Sequence, residues 1–222
     1  MSILVYIIIF LVKAVFVISI ILTAGAVLVY LERKVSGFIQ NRHGPNRVGP
    51  FGAFQPVADV IKLFMKEDIT PAAANPIIHR IAPIITLGVA IAVYAVIPFA
   101  HYIQIGDMRI EIGIAPSLGI GLLFILAMTS VAVYGITLAG WSSNSKYSLI
   151  GGLRSSAQMI SYELAMGLSL VGVIMMTGSL SPTDIVLGQS GMNWNIFYQP
   201  VGFIIFLICS FAETNRAPFD LP

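Results

Sequence analysis

The sequence is poor in the residues that build metal and redox centres: among 222 positions it has a single cysteine, Cys209, and three histidines. One thiol can form neither an intrachain disulfide nor the roughly four-thiolate cage of an iron–sulfur cluster, so a redox metal must belong to a partner. His43, His79 and His101 are scattered, with no i, i+4 pair and no His-x-x-Glu pattern, and no metal site is expected. Charge is scarce as well. Only 10% of residues are charged, against about 25% in soluble domains, and the net charge is +2. A soluble globular enzyme is excluded, and no nucleic-acid partner is expected.

What is abundant is apolar. The apolar fraction is 57% and the mean hydropathy +0.91, the values of an integral membrane protein. The N-terminal run 2–31 exceeds a signal peptide's apolar core of roughly 7 to 15 residues and reads as a retained first span over 3–30, with Lys13 snorkelling or facing another helix. Further spans are expected at about 81–100, 114–138, 157–177 and 196–212. Between the first two, residues 54–66 put Gln55, Asp59, Lys62 and Lys66 on one stripe and Val57, Ala58, Ile61, Phe64 and Met65 on the other, the period of an amphipathic helix. Thirteen residues reach only about 20 Å, so this helix lies at the interface or against a partner.

The expected fold is therefore all-α: a polytopic transmembrane helix bundle with an interfacial amphipathic helix, in a single domain over 1–222. It ends without a polar tail and reads as C-terminally truncated. Ten of the twelve Lys and Arg fall on one face if the five spans alternate, which makes that face cytoplasmic and puts the N-terminus outside.

The ionisable residues gather in a few stretches. Residues 32–52, ERKVSGFIQNRHGPNRVGPFG, combine Glu32, Arg33, Lys34, Arg42 and Arg47 with dense Gly-Pro punctuation, which predicts a rigid, cationic, irregular loop through which no regular helix runs. Residues 141–158 form a polar loop containing Gly151-Gly152 and Arg154, and its bland reading is a positive-inside anchor. FAETNRAPFDLP closes the chain with Glu213, Arg216 and Asp220; Glu213 and Arg216 could pair on one helical turn before Pro218 halts the helix.

Glu163 is the sharpest single signal. It sits in an apolar span, where a centred carboxylate costs about 2.5 to 3.5 kcal/mol, and no basic residue lies within two turns of it on its own helix. Its partner must come from another span, from water, or from a bound proton; a proton relay and a purely structural buried hydrogen bond are both open.

Four stretches in order, YLERKVSGFIQNRHGPNRVGPFG, QPVADVIKLFMKEDITP, GWSSNSKYSLIGGLRSSAQMISYE and FAETNRAPFDLP, resemble the quinone-site membrane subunit of respiratory complex I, the NADH-quinone oxidoreductase of bacteria. They cover roughly a third of the chain, and the spans between them agree with the family in placement. The family continues past FDLP into an acidic loop and further spans.

The resemblance implies a multi-pass subunit of NADH:quinone oxidoreductase in the bacterial cytoplasmic membrane. Quinone is its substrate, and flavin and iron–sulfur clusters are held by partner subunits. Its partners would be the peripheral-arm subunits carrying the terminal cluster, antiporter-like and small membrane subunits, and the lipid bilayer. Glu163 and Glu213 would begin a proton relay. Arg33, Arg42, Asp59, Glu67, Arg154, Arg216 and Asp220 would line the quinone chamber or its rim. Membrane subunits of related hydrogenases and deazaflavin-dependent dehydrogenases share the pattern, although the GPNRVGPFG and AETNRAPFDLP strings favour the quinone branch. A stand-alone ion transporter is a further reading; against it, the charges cluster at one membrane face rather than near the midplane. A passive scaffold is disfavoured by the buried acid.

Overall fold

A computed structural model describes residues 3–105, 108–215 and 218–219. Among the described residues the fold is all-α apart from one small hairpin, and the chain divides into two compact units, Met1–Ile69 and Thr70–Pro222.

In the first unit α1 runs from Ile3 to Ile39, 37 residues or about 55 Å. It therefore carries regular helix through Glu32, Arg33 and Lys34, which corrects the expectation that none enters the 32–52 segment. The helix breakers begin only at Gly44, and the lone Gly37 is accommodated because residues 42–44 pack on it: a Cβ there would meet the Gly44 nitrogen at 2.9 Å. The helix ends where Asn41 turns to φ 51°, with Asn41 N–H donating to Phe38 O and Arg42 N–H to Gly37 O, a left-handed cap with asparagine in glycine's usual place.

The irregular part that follows is locked. Gly52 has φ 80°, and a Cβ on it would lie 2.2 Å from the Pro45 carbonyl oxygen, so only glycine fits. Tyr30 Oη donates to the Phe51 carbonyl at 3.0 Å, tying the loop to α1. Helix α2, Gln55–Phe64, then follows with Pro56 in its first turn, as its pattern predicts. None of its residues is buried within the unit; Phe64 and Met65 are 86% and 83% exposed.

The second unit contains α3 (Pro76–Val93), β1 (Ala100–Ile105), β2 (Met108–Ile112), α4 (Gly121–Ser142), α5 (Lys146–Thr177), α6 (Pro182–Leu187), α7 (Asn195–Tyr198) and α8 (Pro200–Glu213). The strands pair antiparallel, with Ile105 opposite Met108. Helix α3 ends at Val93 and a 3-10 turn follows over Tyr94–Val96, so the end of the 81–100 run leaves the α-helix before the hairpin begins, and α4 starts at Gly121 rather than 114 because Pro116 and Gly119 interrupt the apolar stretch. The polar stretch 141–158 is also mostly helix: only residues 143–145 separate α4 from α5.

Helices α3, α4, α5 and α8 pack successively side by side. Asn75 N–H donates to Ser142 O at the open end of the α3/α4 pair, and Gly135 lies against Ala82 and Thr86, so the two helices run antiparallel. A Cβ on Gly135 would sit 2.2 Å from Thr86 Oγ1. On the other flank of α4, Gly140 and Gly152 meet: a Cβ on Gly140 would be 2.8 Å from Ser148 O and 3.3 Å from Gly152 Cα. Small residues let backbones approach where water drives nothing together, and contact then comes from close packing. The buried core is correspondingly small in volume, with Ala82, Ala212, Val89, Val133, Met159, Met166 and Cys209 among its members. Most large apolar side chains point outward, as in a protein whose solvent is lipid.

Among the described residues four helices are long and apolar enough to cross a membrane: 7–39, 76–96, 121–142 and 146–177. The run expected as a fifth span does not form one long helix. It breaks at Gln199, whose φ of −135° and ψ of 61° leave the helical region ahead of Pro200, and α8 alone covers about 21 Å.

Candidate functional site

The second unit places Glu163 near the middle of α5, half-buried on the seam with α4. Thr129 Oγ1 donates to its Oε1 at 3.0 Å and Ser130 Oγ donates to the same atom at 2.5 Å. The partner required by the sequence thus comes from a neighbouring helix, and it consists of two neutral hydroxyls. Among the described residues no ion pair involves Glu163.

Seven residues toward the other end of α4, Thr137 Oγ1 and Ser156 Oγ share a 2.7 Å hydrogen bond. Ser130 and Thr137 are seven apart on α4, and Ser156 and Glu163 are seven apart on α5, so an antiparallel pair matches them as two polar rungs. All four line one groove of about 890 Å³, whose other walls include Leu126, Val133, Ile160, Leu164 and Gly167. An apolar groove with a few convergent polar groups is the usual form of a binding or transfer site.

Glu213, at the last turn of α8, is half-buried and close enough to Glu163 for the two carboxylates to repel. The chain just beyond is held against α5: Asn215 Nδ2 donates to Met159 Sδ at 3.6 Å, Gln158 Nε2 donates to Phe219 O at 3.0 Å, and the Tyr162 and Phe219 rings meet edge-on at 5.1 Å. Helix α8 stops at Glu213 and Asn215 takes φ 48°, so the helix ends before Pro218 can halt it. Arg216 and Asp220 lie outside the described residues.

In the first unit the structure joins two of the expected rim residues. The Arg33 guanidinium is ion-paired with Asp59 Oδ2, and Gln55 Nε2 donates to Asp59 Oδ1 at 2.9 Å, one turn away on α2. These donors, Gln55 first and Arg33 next, hold the Asp59 carboxyl below the usual carboxylate range. Arg42 Nε donates to Gln40 Oε1 at 2.6 Å rather than to an acid. Glu67 and Arg154 are exposed and take no part in an ion pair among the described residues.

Sequence reasoning missed Thr129 and Ser130, the residues that satisfy Glu163. The signal was present, because a Thr-Ser pair interrupts the apolar α4 and Ser130 shares its seven-residue spacing with Thr137.

Long apolar helices, with a half-buried carboxylate on the seam between two of them, define a polytopic membrane protein. Comparison with known proteins sharpens the class. The family profile described as NADH dehydrogenase matches residues 12–222. NADH-quinone oxidoreductase subunit 8 of Rhodothermus marinus is 56% identical over 210 residues, covering 93% of this chain and 59% of that protein. An NADH-quinone oxidoreductase subunit of Salinibacter ruber is 50% identical over 93% of the chain and 58% of its own length. One from Koribacter versatilis is 49% identical over 100% of the chain and 66% of its length. The chain belongs to the NADH dehydrogenase family, and it spans about three fifths of the length of the first two relatives.

Proposed function

We propose that this chain is the quinone-site-forming membrane subunit of a proton-pumping NADH:quinone oxidoreductase, and that it couples quinone reduction to proton translocation. The names of the relatives support the quinone-reducing branch over the hydrogenase and deazaflavin-dependent alternatives. The bacterial cytoplasmic membrane is its site, with the N-terminus outside. Peripheral-arm subunits bring the terminal iron–sulfur cluster to the quinone, and antiporter-like and small membrane subunits adjoin it.

The observation that carries the reading is Glu163: a carboxylate among apolar side chains, bound by hydroxyls rather than a cation, and facing a second carboxylate. A buried acid compensated by an arginine would stay ionised, whereas one held by hydroxyls tolerates either protonation state. Glu163 and Glu213 are the proton-carrying groups. Arg33 and Asp59 brace the rim of the quinone chamber, to which Arg42, Glu67, Arg154, Arg216 and Asp220 contribute. Reduction of the quinone adds charge there, and the acids respond by changing protonation.

Glu163→Gln in the assembled enzyme tests this. Quinone-coupled proton pumping falls on the order of a hundredfold, the scale of losing a positioned proton-transfer group, while the complex still assembles. Wild-type pumping by that variant, measured as proton uptake into inverted vesicles, removes Glu163 from the relay.

A further inference from the structure

Each hydroxyl beside Glu163 stands between two acceptors. Thr129 Oγ1 is 2.9 Å from the Leu126 carbonyl oxygen and 3.0 Å from Glu163 Oε1. Ser130 Oγ is 3.0 Å from that same carbonyl and 2.5 Å from the same carboxylate oxygen. A hydroxyl has one proton to give and two lone pairs to accept with, so it can donate to only one of these at a time. The Leu126 carbonyl lies inside α4, where it already accepts the helical N–H bond and has a second lone pair to spare.

We propose that Thr129 and Ser130 form a hydroxyl switch that lets Glu163 gain and lose a proton with no movement of the backbone. This inference rests on the reading of Glu163 as a proton-carrying group. In the ionised state both hydroxyls donate to Glu163 Oε1. When a hydronium ion enters the groove, one of its O–H bonds breaks to leave water, and a single O–H bond forms on Oε1. The new carboxyl O–H donates to Ser130 Oγ, and the Ser130 O–H turns to the Leu126 carbonyl. Release reverses the two rotations, so nothing larger than a hydroxyl torsion changes.

The groups facing Glu163 leave the switch in control. From α8 the charged neighbour is Glu213; from α4 the titratable residue on the groove is Tyr134, and no cation among the described residues pairs with the acid. Ser130 and Glu163 both line the groove, which gives the proton its way in. The Thr137–Ser156 rung is built in the same way. Its hydroxyls have the same double choice, with Val133 O at 3.1 Å from Thr137 Oγ1 and Gly152 O at 2.7 Å from Ser156 Oγ, but it contains no acid.

The experiment is redox-induced difference infrared spectroscopy of the assembled enzyme in its membrane, with the Glu163 carboxyl band assigned by its loss in Glu163→Gln. In Thr129→Val/Ser130→Ala the band shifts to that of a carboxyl without a hydrogen-bonded partner, and proton pumping falls on the order of tenfold, the rate equivalent of one charge-assisted hydrogen bond. Ser130→Thr keeps a hydroxyl and retains both the band and pumping, and Thr177→Val, at a hydroxyl that donates to Val173 O at 2.9 Å outside the groove, leaves both at wild type. If the double variant fails to assemble, Ser130→Ala alone, which removes the shorter contact, is read in the same two ways. An unmoved Glu163 band with wild-type pumping overturns the switch and leaves the relay standing. A wild-type enzyme whose spectrum has no Glu163 band overturns the relay itself.

Discussion

Two acids in this molecule are satisfied in opposite ways. Asp59, in the first unit, takes a guanidinium and a carboxamide; Glu163, in the second, takes two hydroxyls and faces a like charge. A guanidinium is always protonated, so the first arrangement fits only the carboxylate and acts as a brace. Hydroxyls accept as readily as they donate, so the second fits both forms of the acid. Where a carboxyl group is required to stay put, the chain supplies a cation. Where the proposed relay needs an acid to change state, the chain supplies groups that can turn around.

The largest way to break this contrast uses no polar residue. Gly140 holds α4 against α5, and a side chain there collides with Ser148 O and Gly152 Cα. Gly140→Val should part the seam and take both hydroxyl rungs with it, at a cost of about 1 to 3 kcal/mol of packing. Coupled pumping should then fall as far as in Thr129→Val/Ser130→Ala, although Glu163 and its donors are all present. Gly151→Val, where nothing lies within 4 Å of the added Cβ, should leave stability in detergent titration near wild type. Equal loss in both variants would mean that seam distance is not what fixes the Glu163 environment.

How much of this could be read from the sequence follows from what kind of signal each feature leaves. Hydropathy is a running average, so it reveals apolar helices readily and their ends poorly. It extends one span to 100 and starts another at 114, although the alternating AHYIQI and MRIEI around Gly106-Asp107 carry a hairpin pattern. Polar composition hides helix in the same way: residues 32–39 and 146–156 are helical because neither contains proline and Gly37 and Gly152 are tolerated where a neighbouring backbone packs close. Glu163 is legible because a lone acid in an apolar run is costly whatever surrounds it. Its donors are not, because a Thr-Ser pair in a span is ordinary until α4 and α5 are set in register. The link from Arg33 to Asp59 crosses 26 positions through a glycine-locked turn, and no local pattern encodes such a pairing.

The brace itself can be tested by exchange. Asp59→Lys sets a cation against Arg33, and adding Arg33→Glu restores an opposite-charge pair at the same place. The single variant should expose the 40–54 loop to protease and the double variant should recover protection. Exposed pairs contribute little and are screened by salt, so the loss should be smaller than that in Gly140→Val and should shrink in high salt. Failure of the double variant to recover would assign the loop's order to the Gly52 and Tyr30 contacts alone.

The smallest effect is the one that separates the two acids by pH. Asp59 has its carboxyl held below the ordinary value by Gln55 and Arg33, so folding favours its ionised form. The stabilisation it supplies is present in full above the unfolded carboxylate value near 3.9 and is lost as pH falls through the lower, folded value. Protease protection of the 40–54 loop should therefore be flat from neutral pH down to about 4 and decline only below it. Asp59→Asn, which removes the titrating group and can accept from only one of the two donors, should remove the decline and leave protection lower but flat with pH. A brace that loosened between pH 5 and 7 would mean that Asp59 changes protonation in the working range, and the division between a fixed acid and a switching one would fall.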